Sequence, residues 1–289
     1  MTARPQRNGV KPRRQGGLIA KIALAPHVFW TVLFIIVPLG FVCYYSFTDG
    51  DFHFTFENVK AFFSTRYMTI FLRSVKLAFF ATAICFIIGY PAAYFIARCS
   101  PRKQKLLIML VMLPMWMNFL IRTYAWMVIM QDTGIINSIL SALGLPTARM
   151  MYTEGAVVVG MVYDFLPYMI LPIYTVLVKL DYRLVEAAED LGCGRVGVMR
   201  RVIFPLSLPG VISGITMVFV PSISTFYISQ KLGGGSFMLI GDAIERQYYS
   251  SNDPHMAAAL SLALMVILLV GLAITNRFTA GDEGGGMIL

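Results

Sequence analysis

Apolar residues fall in six long runs separated by short polar segments: Ile22 to Phe47, Ser74 to Ala97, Leu106 to Met130, Gly155 to Val178, Gly210 to Ser229 and Met256 to Asn276. A helix needs roughly 20 apolar residues to cross about 30 Å of hydrocarbon, so the pattern predicts an all-α integral membrane protein with six transmembrane helices. The first run is too long for a signal-peptide h-region, and the small residues Ala23 and Ala25 precede its apolar stretch instead of following it, so it reads as an uncleaved span. Between spans four and five the period changes. In "LDYRLVEAAEDLG" Leu184, Val185, Ala188 and Leu191 recur as one helical stripe, while Arg183, Glu186, Glu189 and Asp190 take the other faces. Asp181 suits the start of this helix and Gly192 the left-handed position that ends it, which predicts an amphipathic piece about three turns long.

Composition agrees with a membrane protein: 57% of the 289 residues are hydrophobic and 13% charged, against about a quarter charged in soluble domains. The net charge of +9 is distributed by side. Arg4, Arg7, Lys11, Arg13, Arg14 and Lys21 precede the first span; Arg98, Arg102, Lys103 and Lys105 follow the second; Lys179, Arg183, Arg195, Arg200 and Arg201 follow the fourth. Lys60, Arg66, Arg73, Lys76, Arg149, Lys231 and Arg246 are spread over longer connections on the other side. Basic loops are retained in the cytoplasm, so both termini are expected there, and lipid accounts for the positive charge without a nucleic-acid partner. The chain then divides into a disordered basic tail at 1–21, a transmembrane domain at 22–276 with a cytoplasmic loop at about 179–209, and a flexible tail at 277–289. Four cysteines form no C-x-x-C pair and imply no disulfide framework or metal site.

Gly192, Gly194 and Gly197 match G-x-G-x-x-G, but no apolar strand precedes the first glycine, so a dinucleotide loop is excluded and the glycines are expected to act as joints in the chain path. There is no P-loop to cradle ATP, no H-E-x-x-H and no G-x-S-x-G, and His27, His53 and His255 are scattered. An ionisable group at membrane depth is expensive and marks function by default. Asp164 lies about 14 Å into its span, near the midplane. With Tyr163, Phe165 and Tyr168 beside it, it suits an ammonium ligand; an ion pair with Arg122 of the third span is the alternative, although a straight helix puts Arg122 near the outer interface, about 24 Å from the cytoplasmic end. In the fifth span Pro221 is expected to kink the helix at similar depth, with Ser222, Ser224, Thr225 and Tyr227 lining the gap or simply satisfying it. Asp242 and Glu245 are expected to face the outer compartment, toward water or a delivery protein.

Glu186-Ala187-Ala188, Gly192 and Val202-Ile203-Phe204-Pro205 resemble the E-A-A, three residues, G, nine residues, I-x-L-P signature of permease subunits of ATP-binding-cassette importers, with Val202 and Phe204 departing from it. "GYPAAYFIAR", "NFLIRTYAW", "LPYMILPIY" and "LIGDAI" are similar to the spermidine/putrescine permeases, whereas Asp253 in "SNDPHMAA" stands where those relatives carry tryptophan. The resemblance implies a bacterial inner-membrane importer working by alternating access, with Leu184, Glu186, Ala187, Ala188, Leu191 and Gly192 docking on a cytoplasmic ATPase. It also implies two copies of that ATPase, a second homologous permease and a periplasmic substrate-binding protein, with ATP and Mg used by the partner subunits and no cofactor on this chain. Another organic cation or an opine-like solute is the runner-up cargo. A passive channel has no need of an acidic helix between spans four and five, and an intramembrane enzyme would act without ATPase partners.

Overall fold

The computed structural model describes residues 18–51 and 53–283; the tail residues 1–17 and 284–289 lie outside them. The described residues form helices α1 (Leu18–Thr31), α2 (Val37–Ser46), α3 (Glu57–Phe62), α4 (Thr65–Ala97), α5 (Pro101–Trp116), α6 (Phe119–Met130) and α7 (Ile135–Ala142). There follow α8 (Glu154–Leu177), α9 (Arg183–Asp190), α10 (Arg195–Val198), α11 (Phe204–Ser224), α12 (Tyr227–Gly233), α13 (Ile240–Tyr249) and α14 (Pro254–Glu283). Helix therefore begins inside the segment 1–21 and continues into 277–289. An isolated Thr48–Phe54 bridge is the β pairing among the described residues.

Two π-helical turns, Val32–Ile36 and Met199–Ile203, join α1 to α2 and α10 to α11. Each ends two residues before a proline, Pro38 and Pro205, where the widened turn accommodates a ring and a missing N–H. Among the described residues, five helices are long and apolar enough to cross a membrane: Leu24–Ser46, Thr65–Ala97, Glu154–Leu177, Arg195–Ser224 and Pro254–Ala273. The third apolar run is not one straight crossing. It breaks into Pro101–Trp116 and Phe119–Ala142, bent by 90°. Pro114 cannot donate to the ladder and Asn118 caps a new helix by accepting the Leu120 N–H at 2.8 Å, so the chain stops and restarts in a new direction.

The centre is built from α4, α8 and α11, which pack on one another. Lipid is as apolar as a leucine side chain, so such helices associate through close packing and depend on small residues. Gly210 of α11 makes this visible: a Cβ there would stand 2.8 Å from the Pro172 carbonyl oxygen of α8. Around this contact Cys85, Ala93, Met169, Ile170 and Ile173 are buried, and the same cluster takes in Val185 of α9 and Val198 of α10. A second cluster around Leu77, Met161, Ile228 and Leu232 fills the end away from α9. The first span is peripheral and packs on α14, to which His255 joins it through Thr48 Oγ1 at 3.1 Å.

Candidate functional site

At one end of the bundle lies α9. The Asp181 carboxylate accepts the Arg183 N–H at 3.0 Å, as a starting residue should. At the other terminus Gly192 takes φ +82°, with its N–H donated to the Glu189 carbonyl at 2.9 Å and the Cys193 N–H to Ala188 at 3.0 Å. This is a Schellman end, and the left-handed residue in it is the one that favours glycine. The other two glycines of the triplet are not joints of this kind. Gly194 sits at φ −67°, which any residue adopts, and Gly197 lies within α10 with only ordinary contact at its Cβ position.

The expected stripe of α9 divides, and the helix is eight residues long, nearer two turns than three. Val185 is 1% exposed and Ala188 is half-buried, both packed into the bundle. Leu184 and Leu191, seven residues apart on one stripe, remain 48% and 86% exposed, and Val196 of α10 is also exposed. Glu186 and Ala187 face outward too. The Arg98 guanidinium at the end of α4 lies 4.6 Å from the Tyr94 ring and 5.4 Å from that of Tyr182, so α9 is tied to a crossing helix through a cation held between two rings. The result is a helix fixed through Val185 and Ala188, with the two leucines that flank Ala188 on the stripe left largely exposed.

Deep in the bundle, Asp164 of α8 and Arg122 of α6 are 5% and 9% exposed, with Oδ1 and Nη1 3.1 Å apart. The ion pair is thus the arrangement the chain adopts. Arg122 is not near an interface at the far end of a straight span; it is the fourth residue of the helix that restarts after the 90° break, and the break carries it to Asp164. The contact lacks hydrogen-bond alignment: Arg122 Nε and Nη1 and Asp164 Oδ1 are buried without a hydrogen-bond partner. Aromatic rings wall the pair. Phe119 and Tyr163 each lie 6.0 Å from the guanidinium carbon, Tyr163 meets Trp126 at 5.4 Å, and Phe119 meets Tyr227 at 5.4 Å. Lys231 of α12 reaches over Tyr124 and Tyr227, at 5.6 and 5.7 Å.

Of the residues expected in this region, the fold gathers Asp164, Tyr163 and Tyr227 and leaves others out. Tyr168 is exposed, with its ring 6.4 Å from Phe165. Pro221 does not break its helix, since α11 runs on to Ser224 and the path changes only at Thr225. Ser222 lines no gap: it is fully buried, with its hydroxyl donated back to the Val218 carbonyl at 2.6 Å. Phe119, Tyr124 and Lys231 were missed because periodicity places them on a span wall or in a loop; Asn118, a capping residue within an apolar run, is the signal that could have revealed the break.

Asp242 does not face the outer compartment. It is buried, accepting the Ser229 hydroxyl and the Leu239 N–H, each at 2.8 Å, and Glu245 next to it accepts Gln230 Nε2 at 3.0 Å. Burial raises the Asp242 pKa from the usual 3.8 to about 6, against the pull of those hydrogen bonds.

Residues 86–280 match the family described as the inner membrane component of binding-protein-dependent transport systems. The chain is 38% identical over 265 residues to the spermidine/putrescine transport system permease protein PotB of Haemophilus influenzae, covering 89% of this chain and 93% of that one. To PotB of Escherichia coli K12 it is 35% identical over 249 residues, covering 83% and 90%. Among solved structures, a chain of the bacterial ABC transporter involved in import of the acidic polysaccharide alginate superposes with a TM-score of 0.70 at 16% identity, over 91% of this chain and 95% of that one. A chain of the MetNI methionine ABC transporter in an inward-facing conformation superposes at 0.53 and 18%, over 75% and 98%. The matched family spans most of the bundle, from α4 to α14, and the chain belongs to it: an inner-membrane component of a binding-protein-dependent transport system, a transport subunit rather than an enzyme.

Proposed function

We propose that this chain is the permease subunit of an ATP-driven importer of polyamines, carrying them from the periplasm to the cytoplasm by alternating access. One observation carries the energy coupling: α9 buries Val185 in the bundle and leaves Leu184 and Leu191, at the margin of the same apolar stripe, largely bare. An exposed apolar pair on a helix anchored by a Schellman turn and a ring-clamped arginine is a rigid docking surface, and its partner is a cytoplasmic ATPase, present in two copies with ATP and Mg. A second, homologous permease completes the pathway, and a periplasmic binding protein delivers cargo to the end opposite α9. With α9 in the cytoplasm, both termini are cytoplasmic as well.

The cargo reading joins two supports. The relatives covering most of the chain carry the name spermidine/putrescine permease, and the membrane-depth carboxylate Asp164 is walled by rings, a setting that suits alkylammonium groups. Substrate-stimulated ATP hydrolysis by the assembled complex, measured over a panel of polyamines, other organic cations, opines and oxyanions, tests it. Stimulation by spermidine or putrescine is expected; stimulation by an oxyanion and by no amine would overturn the cargo assignment.

A further inference from the structure

We propose that Arg122 is a resident cation: its guanidinium occupies the place on Asp164 that an alkylammonium cargo takes during passage, and the two compete for that carboxylate. The inference rests on the polyamine reading above and assigns that site its gate.

The pair is poorly made for a permanent strut. A guanidinium built to hold a carboxylate offers it two parallel N–H bonds, whereas here the approach of 3.1 Å is unaligned and three polar atoms of the pair have no hydrogen-bond partner. Arg122 is the sole polar partner of the Asp164 carboxylate among the described residues. An ammonium carries three rotatable donors on a compact charge and can meet such an oxygen from directions a planar fork cannot. The walls suit either cation, since the faces of Phe119 and Tyr163 attract positive charge whatever its shape.

Exchange also solves an energetic problem. A lone carboxylate at this depth is expensive, so an empty site would resist forming, while a tightly satisfied one would never release cargo. Replacing one cation by another keeps the charge compensated throughout. The fold supplies the means of withdrawal: Arg122 stands one turn beyond the break at Met117 and Asn118, on a short helix bent 90° from its predecessor, while Asp164 belongs to the packed centre. Swinging α6 removes the guanidinium without unwinding a crossing helix.

The test uses the complete complex, with both permeases, the ATPase and the binding protein, in proteoliposomes with labelled spermidine and putrescine. Arg122→Gln removes the competitor, so the half-saturating polyamine concentration is expected to fall about tenfold while maximal uptake drops, because bound cargo is no longer displaced. The double variant R122Q/D164N places two neutral amides in the same space, removes the buried charges together, and is expected to assemble and hydrolyse ATP without polyamine uptake. Unchanged half-saturation in R122Q, or retained uptake in the double variant, overturns the exchange while leaving polyamine transport standing. Failure of the double variant to assemble overturns it as well, by assigning the pair to the architecture of the bundle. A wild-type complex that moves no polyamine at all defeats the cargo reading instead.

Discussion

A single carboxylate ties two outer elements together: Asp242, on the first turn of α13, accepts from the Leu239 N–H at the start of its own helix and from Ser229 of α12. Its folded-state pKa of about 6 lies above the usual 3.8, so the folded chain holds this proton more tightly than the unfolded chain does. The stability this confers is complete below 3.8 and is lost as pH rises through about 6. In detergent, the thermal midpoint of the wild type should therefore fall between pH 4.5 and 7.5 relative to Asp242→Asn, whose uncharged amide does not titrate; parallel curves for the two proteins would refute this. Asp242 also shows how far one residue can be read from sequence. Its helix carries Glu245, Arg246 and Gln247 and looks water-facing, and nothing along the chain announces that Ser229 will cover it. Asp164 was legible because hydropathy isolates a charge in an apolar run, and Arg122 was legible as a possible partner, but whether the two meet was not, since that distance depends on a bend that hydropathy does not encode.

Among elements, α9 was legible in existence, glycine terminus and amphipathic character, though not in length, because capping and period are local properties. Its faces were not. A stripe of four apolar residues promises one buried side, yet the bundle takes Val185 and Ala188 and leaves Leu184 and Leu191 bare. The split separates two functions that mutation should resolve. Burying a leucine contributes about 1.5–3 kcal/mol, so Leu184→Ala with Leu191→Ala should weaken ATPase association by more than about tenfold. Because neither side chain is buried in this chain, the stability of the isolated permease should stay within about 0.5 kcal/mol of wild type. Val185→Asp should do the reverse in order of severity, damaging the permease itself through an unpaired buried charge. Titrating the ATPase against immobilised permease, alongside thermal unfolding, reads both; equal loss of stability in the leucine and valine variants would refute the division. The third span teaches the opposite lesson. Its apolar residues were all legible, but a hydropathy run has length and no direction, and Pro114 with Asn118 turns it through 90°.

For the whole molecule, the fold sorts the connections into two ends without reference to a bilayer. Arg98 stacks on Tyr182, which puts the α4–α5 connection and α9 at one end; Lys76 and Arg73 meet Glu154, and Gln247 bonds Tyr67, which joins the starts of α4 and α8 and the end of α13 at the other. Arg102, Lys103, Lys105 and the basic residues of the α9 loop thus share an end, and the retention of basic loops then implies that this end is cytoplasmic. Sidedness and geometry are separate arguments, one from charge and one from packing, and a labelling map checks them together. With Cys43, Cys85, Cys99 and Cys193 replaced, a single cysteine at Lys103 or Glu186 should react with a membrane-impermeant thiol reagent only in inverted vesicles. One at Glu57 or Ser251 should react only in intact spheroplasts. Lys103 and Glu186 labelling from opposite sides would break the packing that joins them. All four positions labelling from the side opposite to expectation would keep the fold and invert it, placing the bare leucines of α9 in a compartment without ATP and removing the basis for coupling through that helix.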